Sequence, residues 1–139
     1  MNVEPYLFFY GRCEEALQFY SQTLGAQIGY LMRFREAPES ERGPQEWQDK
    51  VMHATLRVGS SQLMASDGMH QQAPAPFGGL SLTLNVECVE QAERLFTALS
   101  EGGEVRMPPA QTFWSPCFAM LNDRFGVAWM INCAPKTSG

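Results

Sequence analysis

A strand–helix–strand pattern that occurs twice is the feature that most constrains the fold of this chain. In each half, apolar residues recur at helical spacing and predict an amphipathic helix. These residues are Cys13, Ala16, Leu17, Tyr20 and Leu24 in the first half, and Val89, Ala92, Phe96 and Leu99 in the second. An offset of 76 residues aligns Ala16 with Ala92 and Tyr20 with Phe96. The pattern therefore predicts a structural repeat, in which Gly25 and Gly102 stand where the two helices end.

Strands are predicted before and after each helix, because short apolar or alternating segments lie there. In the first half they cover residues 5–10, 26–35 and the two arms of a hairpin, 51–58 and 62–66. In the second half they cover residues 80–86, 104–107, 117–122 and 127–133. The polar stretch 36–50 contains two prolines and is predicted to be a loop.

Each half thus has the order strand, helix and three strands. A module of this kind cannot bury both faces of its sheet alone. We therefore expect an α+β fold in which two βαβββ modules form one curved mixed sheet with the helices outside. We expect a single domain over residues 1–139, with module one at about 1–68, a linker at 67–79 and module two at about 79–134.

Length and composition limit the class of protein. The chain has 139 residues, a net charge of −5 and 45% hydrophobic residues. An acidic chain lacks the basic surface of nucleic-acid-binding modules, and no apolar run is long enough to span a membrane. The four cysteines are widely spaced, without a C-x-x-C pair, and are expected to be reduced core residues. We expect a soluble cytoplasmic protein.

One face of the predicted sheet is a candidate binding surface. Apolar side chains should pack on the helices, so the alternating polar side chains should line the inside of the curved sheet. The residues predicted there are His53, Thr55, Arg57, Gln62, Met64, Ser66, Ser81, Thr83, Asn85, Met130 and Asn132, with Leu7 and Phe9 from the first strand. A concave surface of mixed composition suits a small-molecule site, although one face of an antiparallel sheet is often simply solvated.

His53 is the candidate catalytic residue. It lies two residues from Thr55 and four from Arg57, so it could serve an anionic substrate as general base, with Arg57 as the charge partner. The alternative is a histidine that is merely hydrogen-bonded on a half-exposed strand. The other histidine, His70, falls in the linker and is expected to be solvated. A relocated metal held by His53 and Asp67 is a further alternative.

Several other residues are predicted to contact a ligand. Trp114 lies in a proline-flanked loop and is predicted either to close over the cavity or to support a dimer contact. Met64 and Met130 are related by an offset of 66 residues and are predicted to be adaptable pocket lining, or core filler. The complete set of predicted ligand-binding residues is Arg57, Thr55, Met64, Ser81, Thr83, Asn85, Trp114 and Met130.

Three segments resemble one known family. They are PYLFFYGRCEEALQFYSQTLGA at 5–26, VMHATLRVGSSQLMASD at 51–67 and QTFWSPCFAMLNDRFGVAWMIN at 111–132. The last contains a T-F-W cluster and a D-R-F-G-V-x-W run. On these residues the chain resembles the PhnB-like branch of the vicinal oxygen chelate superfamily, which includes glyoxalase I, extradiol dioxygenases and bleomycin-resistance proteins. The resemblance implies paired βαβββ modules and a homodimer.

The resemblance also implies where a divalent metal would be bound. Superfamily enzymes place His or Glu at positions that correspond here to Pro5, Met64, Ser81 and Met130. Proline has no side-chain donor, and thioether sulfur suits copper(I) rather than zinc, nickel or iron(II). We therefore predict no metal at these positions. Some relatives are named demethylubiquinone methyltransferases, but this chain contains no G-x-G and lacks the strand–helix alternation of a nucleotide-binding fold.

Three functions remain after these exclusions. The first is a dimeric, metal-free binder of a small polar or anionic metabolite. The second is a lyase, isomerase or dioxygenase that uses His53 as acid or base, with an absent or non-standard metal. The third is an interaction protein whose concave face is occupied by another chain.

Overall fold

The computed structural model describes residues 1–68 and 78–135. The first module contains β1 (Tyr6–Phe8), α1 (Cys13–Leu24), β2 (Gln27–Arg33), β3 (Val51–Val58) and β4 (Ser61–Ser66). The second contains β5 (Leu82–Val86), α2 (Val89–Ser100), β6 (Glu104–Ala110), β7 (Phe118–Asn122) and β8 (Ala128–Cys133). The predicted α+β fold of two βαβββ modules is confirmed. The strand predicted over 26–35 ends at Arg33, and a short 3₁₀ turn follows at Phe34–Glu36. The predicted loop 36–50 contains two more such turns, at Glu39–Glu41 and Gln45–Trp47.

Each module has its own four-stranded mixed sheet, and the two sheets have the same topology. The strand orders are β1-β4-β3-β2 and β5-β8-β7-β6. In both, the first strand pairs in parallel with the last, and the remaining pairs are antiparallel. The chain divides into two compact units, Met1–Pro74 and Ala75–Gly139. That these units together form one domain stays a prediction.

The first strand has the opposite phase to the one predicted. Leu7 and Phe9 are buried rather than placed on the inner face, and the Phe9 ring lies 6.3 Å from the ring of Tyr20 on α1. The prediction failed because the segment 5–10 is apolar or aromatic at nearly every position, so alternation has no visible phase. The pairing of Leu7 with Ala65, which is also buried, sets the phase and leaves Tyr6 and Phe8 on the other side of the sheet.

A buried aspartate joins the beginning of α1 to the sheet. Asp67 is 1% exposed, and its Oδ1 accepts hydrogen bonds from the backbone N–H groups of Gly11, at 2.7 Å, and Cys13, at 2.8 Å. Its Oδ2 accepts a third bond, at 2.9 Å, from the backbone N–H of Val51. A carboxylate is favourable here because helix N-termini leave backbone donors unpaired and carry a partial positive charge. Asp67 is therefore a structural residue that orders three segments.

A second buried aspartate explains the D-R-F-G-V-x-W run. Asp123 Oδ1 accepts from the backbone N–H groups of Phe125 and Val127, at 2.9 and 3.0 Å. Its Oδ2 accepts from the indole N–H of Trp129 at 2.9 Å. Gly126 has a φ of +88°, a conformation that disfavours other residues. The run thus encodes the tight connection between β7 and β8 rather than a chemical site.

The cysteines do not share one environment. Cys13, Cys117 and Cys133 are buried, as expected, but Cys88 is exposed just before α2. The prediction of four core thiols is therefore wrong for Cys88.

In α2 the buried residues are Ala92, Leu95 and Leu99, whereas Val89 from the predicted stripe is exposed. Among the residues described, no helix is long and apolar enough to cross a membrane.

Candidate functional site on the open face of the first sheet

The side of the first sheet opposite its buried side chains carries a group of aromatic rings. We call this side the open face, and we call Tyr6, Phe8, Tyr30 and His53 the ring cluster. Tyr6 is 37% exposed, Phe8 41% and Tyr30 55%. Large aromatic side chains at this exposure place apolar area in contact with water, which is characteristic of binding surfaces. The ring cluster is therefore the strongest candidate site in the first unit.

Tyr6 and His53 are joined by a hydrogen bond. The Tyr6 hydroxyl and His53 Nδ1 are 2.9 Å apart, and the two ring centroids are separated by 5.6 Å. Partial burial raises the pKa of the Tyr6 phenol, so its hydroxyl keeps its proton at neutral pH. The phenol can donate to Nδ1 in the histidine tautomer that carries its proton on Nε2. The bond fixes the orientation of His53 on the open face.

Phe8 and Tyr30 flank this pair. Phe8 stacks on Tyr6 with centroids 5.0 Å apart and an interplanar angle of 28°. The Tyr30 ring lies 6.1 Å from the His53 ring. These separations fall in the range in which aromatic rings attract one another. The ring cluster is thus a connected surface rather than a set of independent side chains.

Thr55 positions Tyr30 through the backbone. The Thr55 hydroxyl oxygen accepts a hydrogen bond from the Tyr30 backbone N–H at 2.8 Å. The β2–β3 register shifts between Ile28 and Leu31, where this bond replaces regular pairing. A Cβ on Gly29 would lie only 2.8 Å from Thr55 Oγ1, so the close approach requires glycine. Thr55 therefore holds the irregular segment that presents Tyr30.

Arg57 lies on the same face, four residues beyond His53. It pairs with Gln62 of β4, whereas Thr55 pairs with Met64, and Met64 pairs in turn with Tyr6. The strand rise places the Cα atoms of His53 and Arg57 about 13 Å apart. Within the described part of the chain, Arg57 forms no ion pair. His53 and Arg57, the predicted base and its charge partner, therefore lie on one face but far apart along β3.

Four of the residues predicted on the inner face of the second unit, Thr83, Asn85, Met130 and Asn132, share a sheet face. Thr83 pairs with Met130, and Asn85 pairs with Asn132, whose Nδ2 donates to Asn85 Oδ1 at 3.3 Å. Ser81 lies just before β5 rather than in the strand. The Oδ1 atoms of Asn132 and of Asn122, both buried, have no hydrogen-bond partner among the described residues.

Trp114 is 46% exposed and packs within its own unit. Its ring meets Phe118 of β7 edge-on, with centroids 5.3 Å apart, and Phe113 at 4.7 Å. The hydroxyl oxygen of Thr112 accepts from the Trp114 backbone N–H at 3.3 Å and helps to order the loop. Its roles as a lid or a dimer contact stay predictions. His70 lies outside the described residues.

Sequence reasoning did not select Tyr6, Phe8 or Tyr30. Tyr6 and Phe8 were hidden by the phase of β1, and Tyr30 by the irregular pairing that Thr55 creates. The signal that would have found the first two is the register itself, since the residue paired with Met64 must share its face.

The donor set does not fit a divalent metal at the positions implied by the superfamily. Met64 and Pro5 meet through the backbone, with the Pro5 carbonyl accepting from the Met64 N–H at 2.9 Å. Neither side chain offers an oxygen or imidazole ligand, and Ser81 and Met130 add only a hydroxyl and a thioether. The Asp67 carboxylate already accepts three backbone hydrogen bonds, which a metal ligand at this position would have to give up. Among the described residues, no group of three or more His, Cys, Asp or Glu side chains is placed to hold a metal.

Comparison with known proteins identifies the relatives of this chain. The sequence model of the family described as 3-demethylubiquinone-9 3-methyltransferase matches residues 1–132. Protein YjdN of Escherichia coli (strain K12) is 36% identical over 140 residues, which is 95% of each chain. The crystal structure of protein PA1353 from Pseudomonas aeruginosa is 47% identical, covers 98% of this chain and 99% of its own, and has a TM-score of 0.87.

A PhnB protein from Bacillus cereus, which carries the same methyltransferase description, is 27% identical, with coverage of 96% and 100% and a TM-score of 0.81. More distant structures described as glyoxalase-related or glyoxalase/bleomycin resistance proteins are 14–19% identical, with TM-scores of 0.62–0.67, and share the fold. The predicted resemblance is confirmed. The chain belongs to the PhnB-like family described as 3-demethylubiquinone-9 3-methyltransferase.

Proposed function

We propose that this protein binds a small polar or anionic metabolite on the open face, without a metal ion. The observation that carries the proposal is the ring cluster, in which half-exposed rings surround a histidine held by Tyr6. Rings supply contact area at low cost in conformational entropy, and one or two polar groups supply orientation. Arg57, on the same face, supplies a positive charge without an ion-pair partner in the described residues.

The proposal does not include methyl transfer, although the family description names it. A nucleotide-binding sheet places a glycine-rich loop between a strand and a helix of a parallel βαβ unit. This chain has no G-x-G, and the sheets it forms are mixed, with antiparallel pairs in both. A family name alone supports no chemistry at a site that lacks the necessary groups.

A second candidate function is acid–base catalysis by His53. The specific observation in its favour is the 2.9 Å bond from Tyr6 to Nδ1, because catalytic imidazoles are commonly oriented by a bond to their other nitrogen. On this proposal His53 Nε2 exchanges a proton with the bound metabolite. Loss of turnover in His53→Ala with retained binding would favour this candidate over simple binding.

We further propose that the protein works as a cytoplasmic homodimer, in line with the assembly that its superfamily resemblance implies. Light scattering at micromolar concentration tests the homodimer: a mass of twice 15.6 kDa is expected, and a mass of 15.6 kDa contradicts it.

Chemical-shift mapping tests the binding proposal. The ¹⁵N-labelled protein is titrated with acetate, benzoate, succinate and inorganic phosphate, and the amide shifts are assigned to β1, β3 and β4. We expect at least one anion to move amides on these strands, with the shifts weakened in Arg57→Gln and His53→Ala. Arg106→Gln, an exposed arginine on β6, is the matched control and should change nothing. The proposal fails if no probe moves open-face amides, or if the shifts lie only elsewhere.

A further inference from the structure

The ring cluster is specific about the kind of group it could bind. Tyr6 and Phe8 are nearly parallel, at 28°, and the His53 ring is tilted by 37° to Tyr6 and by 47° to Tyr30. Met64, a polarizable thioether, is the register neighbour of Tyr6. The rings offer π faces and edges, and the thioether beside them adds a polarizable sulfur. A planar ring gains both dispersion and quadrupole contacts on such a surface, beyond what its apolar area alone provides.

Among the described residues, the free positive charge of the open face lies at one end. Arg57 is exposed, and its Cα lies about 13 Å from that of His53 along β3. At the same end, the Glu4 carboxylate accepts hydrogen bonds from the neutral side-chain amides of Gln62, at 3.0 Å, and Asn2, at 2.8 Å, which hold it in place and leave its charge unchanged. At the ring end, no carboxylate of the described residues is hydrogen-bonded to Tyr6 or to His53. The face therefore has the ring cluster at one end and the Arg57 guanidinium at the other.

We propose that the ligand class of the open face is an elongated aromatic acid, with its ring on the ring cluster and its anionic group at Arg57. This inference rests on the proposed function and narrows it. A quaternary ammonium ion also binds to aromatic rings, but the Arg57 cation on the same face would repel it. A compact anion reaches only one of the two ends. An elongated aromatic acid uses both.

Thr55 acts in this proposal as a positioning residue. It holds the backbone of Tyr30 at 2.8 Å and so keeps the Tyr30 ring beside His53, between the two ends of the face. Thr55→Val removes the acceptor and keeps the shape of the side chain. It should weaken binding of aromatic probes while leaving the binding of a compact anion at Arg57 unchanged, a split that general destabilisation would not produce.

Three matched probes test the proposal: 4-phenylbutanoate, 4-cyclohexylbutanoate and 4-phenylbutan-1-ol. They share a four-carbon chain and differ in the ring or in the charge. Cyclohexyl is at least as hydrophobic as phenyl, so simple burial of apolar area would favour the cyclohexyl acid. We expect the phenyl acid to bind the wild-type protein about tenfold more tightly than either of the other two, measured by calorimetry and by amide shifts.

Variants assign each preference to its end of the face. Arg57→Gln should remove the preference for the acid over the alcohol, and Phe8→Leu should remove the preference for phenyl over cyclohexyl. Arg106→Gln should leave both unchanged. Nuclear Overhauser contacts between the phenyl protons and the Tyr6 and Phe8 rings provide a second readout in the unmodified protein.

The outcomes separate this inference from the proposed function. If the cyclohexyl acid binds as tightly as the phenyl acid on the open face, the inference is wrong and the proposed function stands. If acetate or phosphate bind this face better than any ring probe, the same conclusion follows. If no probe reaches the open face, or if the ring cluster becomes protected by a second copy of the chain as concentration rises, both proposals are wrong.

Discussion

Substitution of Asp67 should destabilise the first module strongly, and its cost can be worked out from the contacts. The carboxylate is 1% exposed and accepts bonds from the backbone N–H groups of Gly11, Cys13 and Val51, at 2.7, 2.8 and 2.9 Å. Asp67→Ala leaves these three donors without their acceptor. A hydrogen bond to a charged group contributes about 1.5–3 kcal/mol. At the lower end of that range the loss is about 4–5 kcal/mol, a large share of a total stability of about 5–15 kcal/mol.

Asp67→Asn gives a graded version of the same test. The amide oxygen can still serve Gly11 and Cys13, but the amide nitrogen would oppose the Val51 N–H, so about 2 kcal/mol should be lost. Asp49→Ala is the matched control, since the Asp49 side chain is 79% exposed and its ion pair with Arg35 lies in solvent. That change should cost less than about 1 kcal/mol.

Urea unfolding followed by circular dichroism measures all three variants. With an m-value of about 2 kcal/mol per M, Asp67→Ala should lower the midpoint by about 2 M, and Asp67→Asn by about 1 M. Should Asp67→Ala fail to fold, Asp67→Asn still gives a measurable value. If Asp67→Asn and Asp49→Ala have the same midpoint as the wild type, the hydrogen bonds of Asp67 do not stabilise the first module.

Three further predictions concern other parts of the chain. Ellman's reagent should modify about one thiol per native chain and none in Cys88→Ser, because Cys88 is exposed while burial raises the pKa of Cys13 and Cys117; rapid modification of all four native thiols contradicts this. The Arg33 guanidinium, 2.6 Å away, lowers the pKa of Glu14, so this pair should contribute stability above the ordinary glutamate pKa and lose it as pH falls through the lowered value. Glu14→Gln should therefore reduce the loss of unfolding free energy on acidification, by less than about 1 kcal/mol. If urea midpoints fall equally steeply between about pH 5 and pH 3 in the variant and in the wild type, the ion pair does not stabilise the protein. Gly103→Ala should cost about 1–3 kcal/mol because the new Cβ would collide with the Asn122 carbonyl, whereas the Cβ of Gly59→Ala meets nothing within 4 Å and leaves only the cost of its φ of +57°.

Where polar and apolar residues alternate along a strand, the sequence alone predicted which side chains share a face. It placed His53, Thr55 and Arg57 on one face of β3, and the pairing of Thr55 with Met64 puts them on the open face together. The same reasoning placed Thr83 beside Met130 in the second module. Both helices were found because a stripe of apolar residues at 3.6-residue spacing needs no tertiary information.

Tertiary contacts decided what alternation left open. The phase of β1 depends on its parallel register with β4, a contact between residues almost sixty positions apart that no local pattern reports. Tyr30 reaches His53 only because a side chain of β3 replaces a backbone partner of β2. Cys88 lies at the position before α2 and is exposed, whereas Cys13, the first residue of α1, is buried. The residues that sequence reasoning missed are therefore those whose position depends on strand register or an element boundary.

The register of β1 also bears on how recognition can work at this face. Pro5 and Met64 stand where the superfamily resemblance implies metal ligands, and their backbones bond to each other at 2.9 Å. Replacing Met64 with a carboxylate residue would supply one ligand, but Pro5 has no side-chain donor. One substitution therefore cannot provide both metal ligands that the resemblance implies in the first module. The next residue, Tyr6, pairs with Met64 and brings a phenol to His53 instead. Where a metal site needs hard donors converging on a point, this chain presents a thioether and rings spread over an area. On the proposed function, such a surface would select a ligand by its shape and π contacts, and the cation at Arg57 would favour an acid over its neutral analogue.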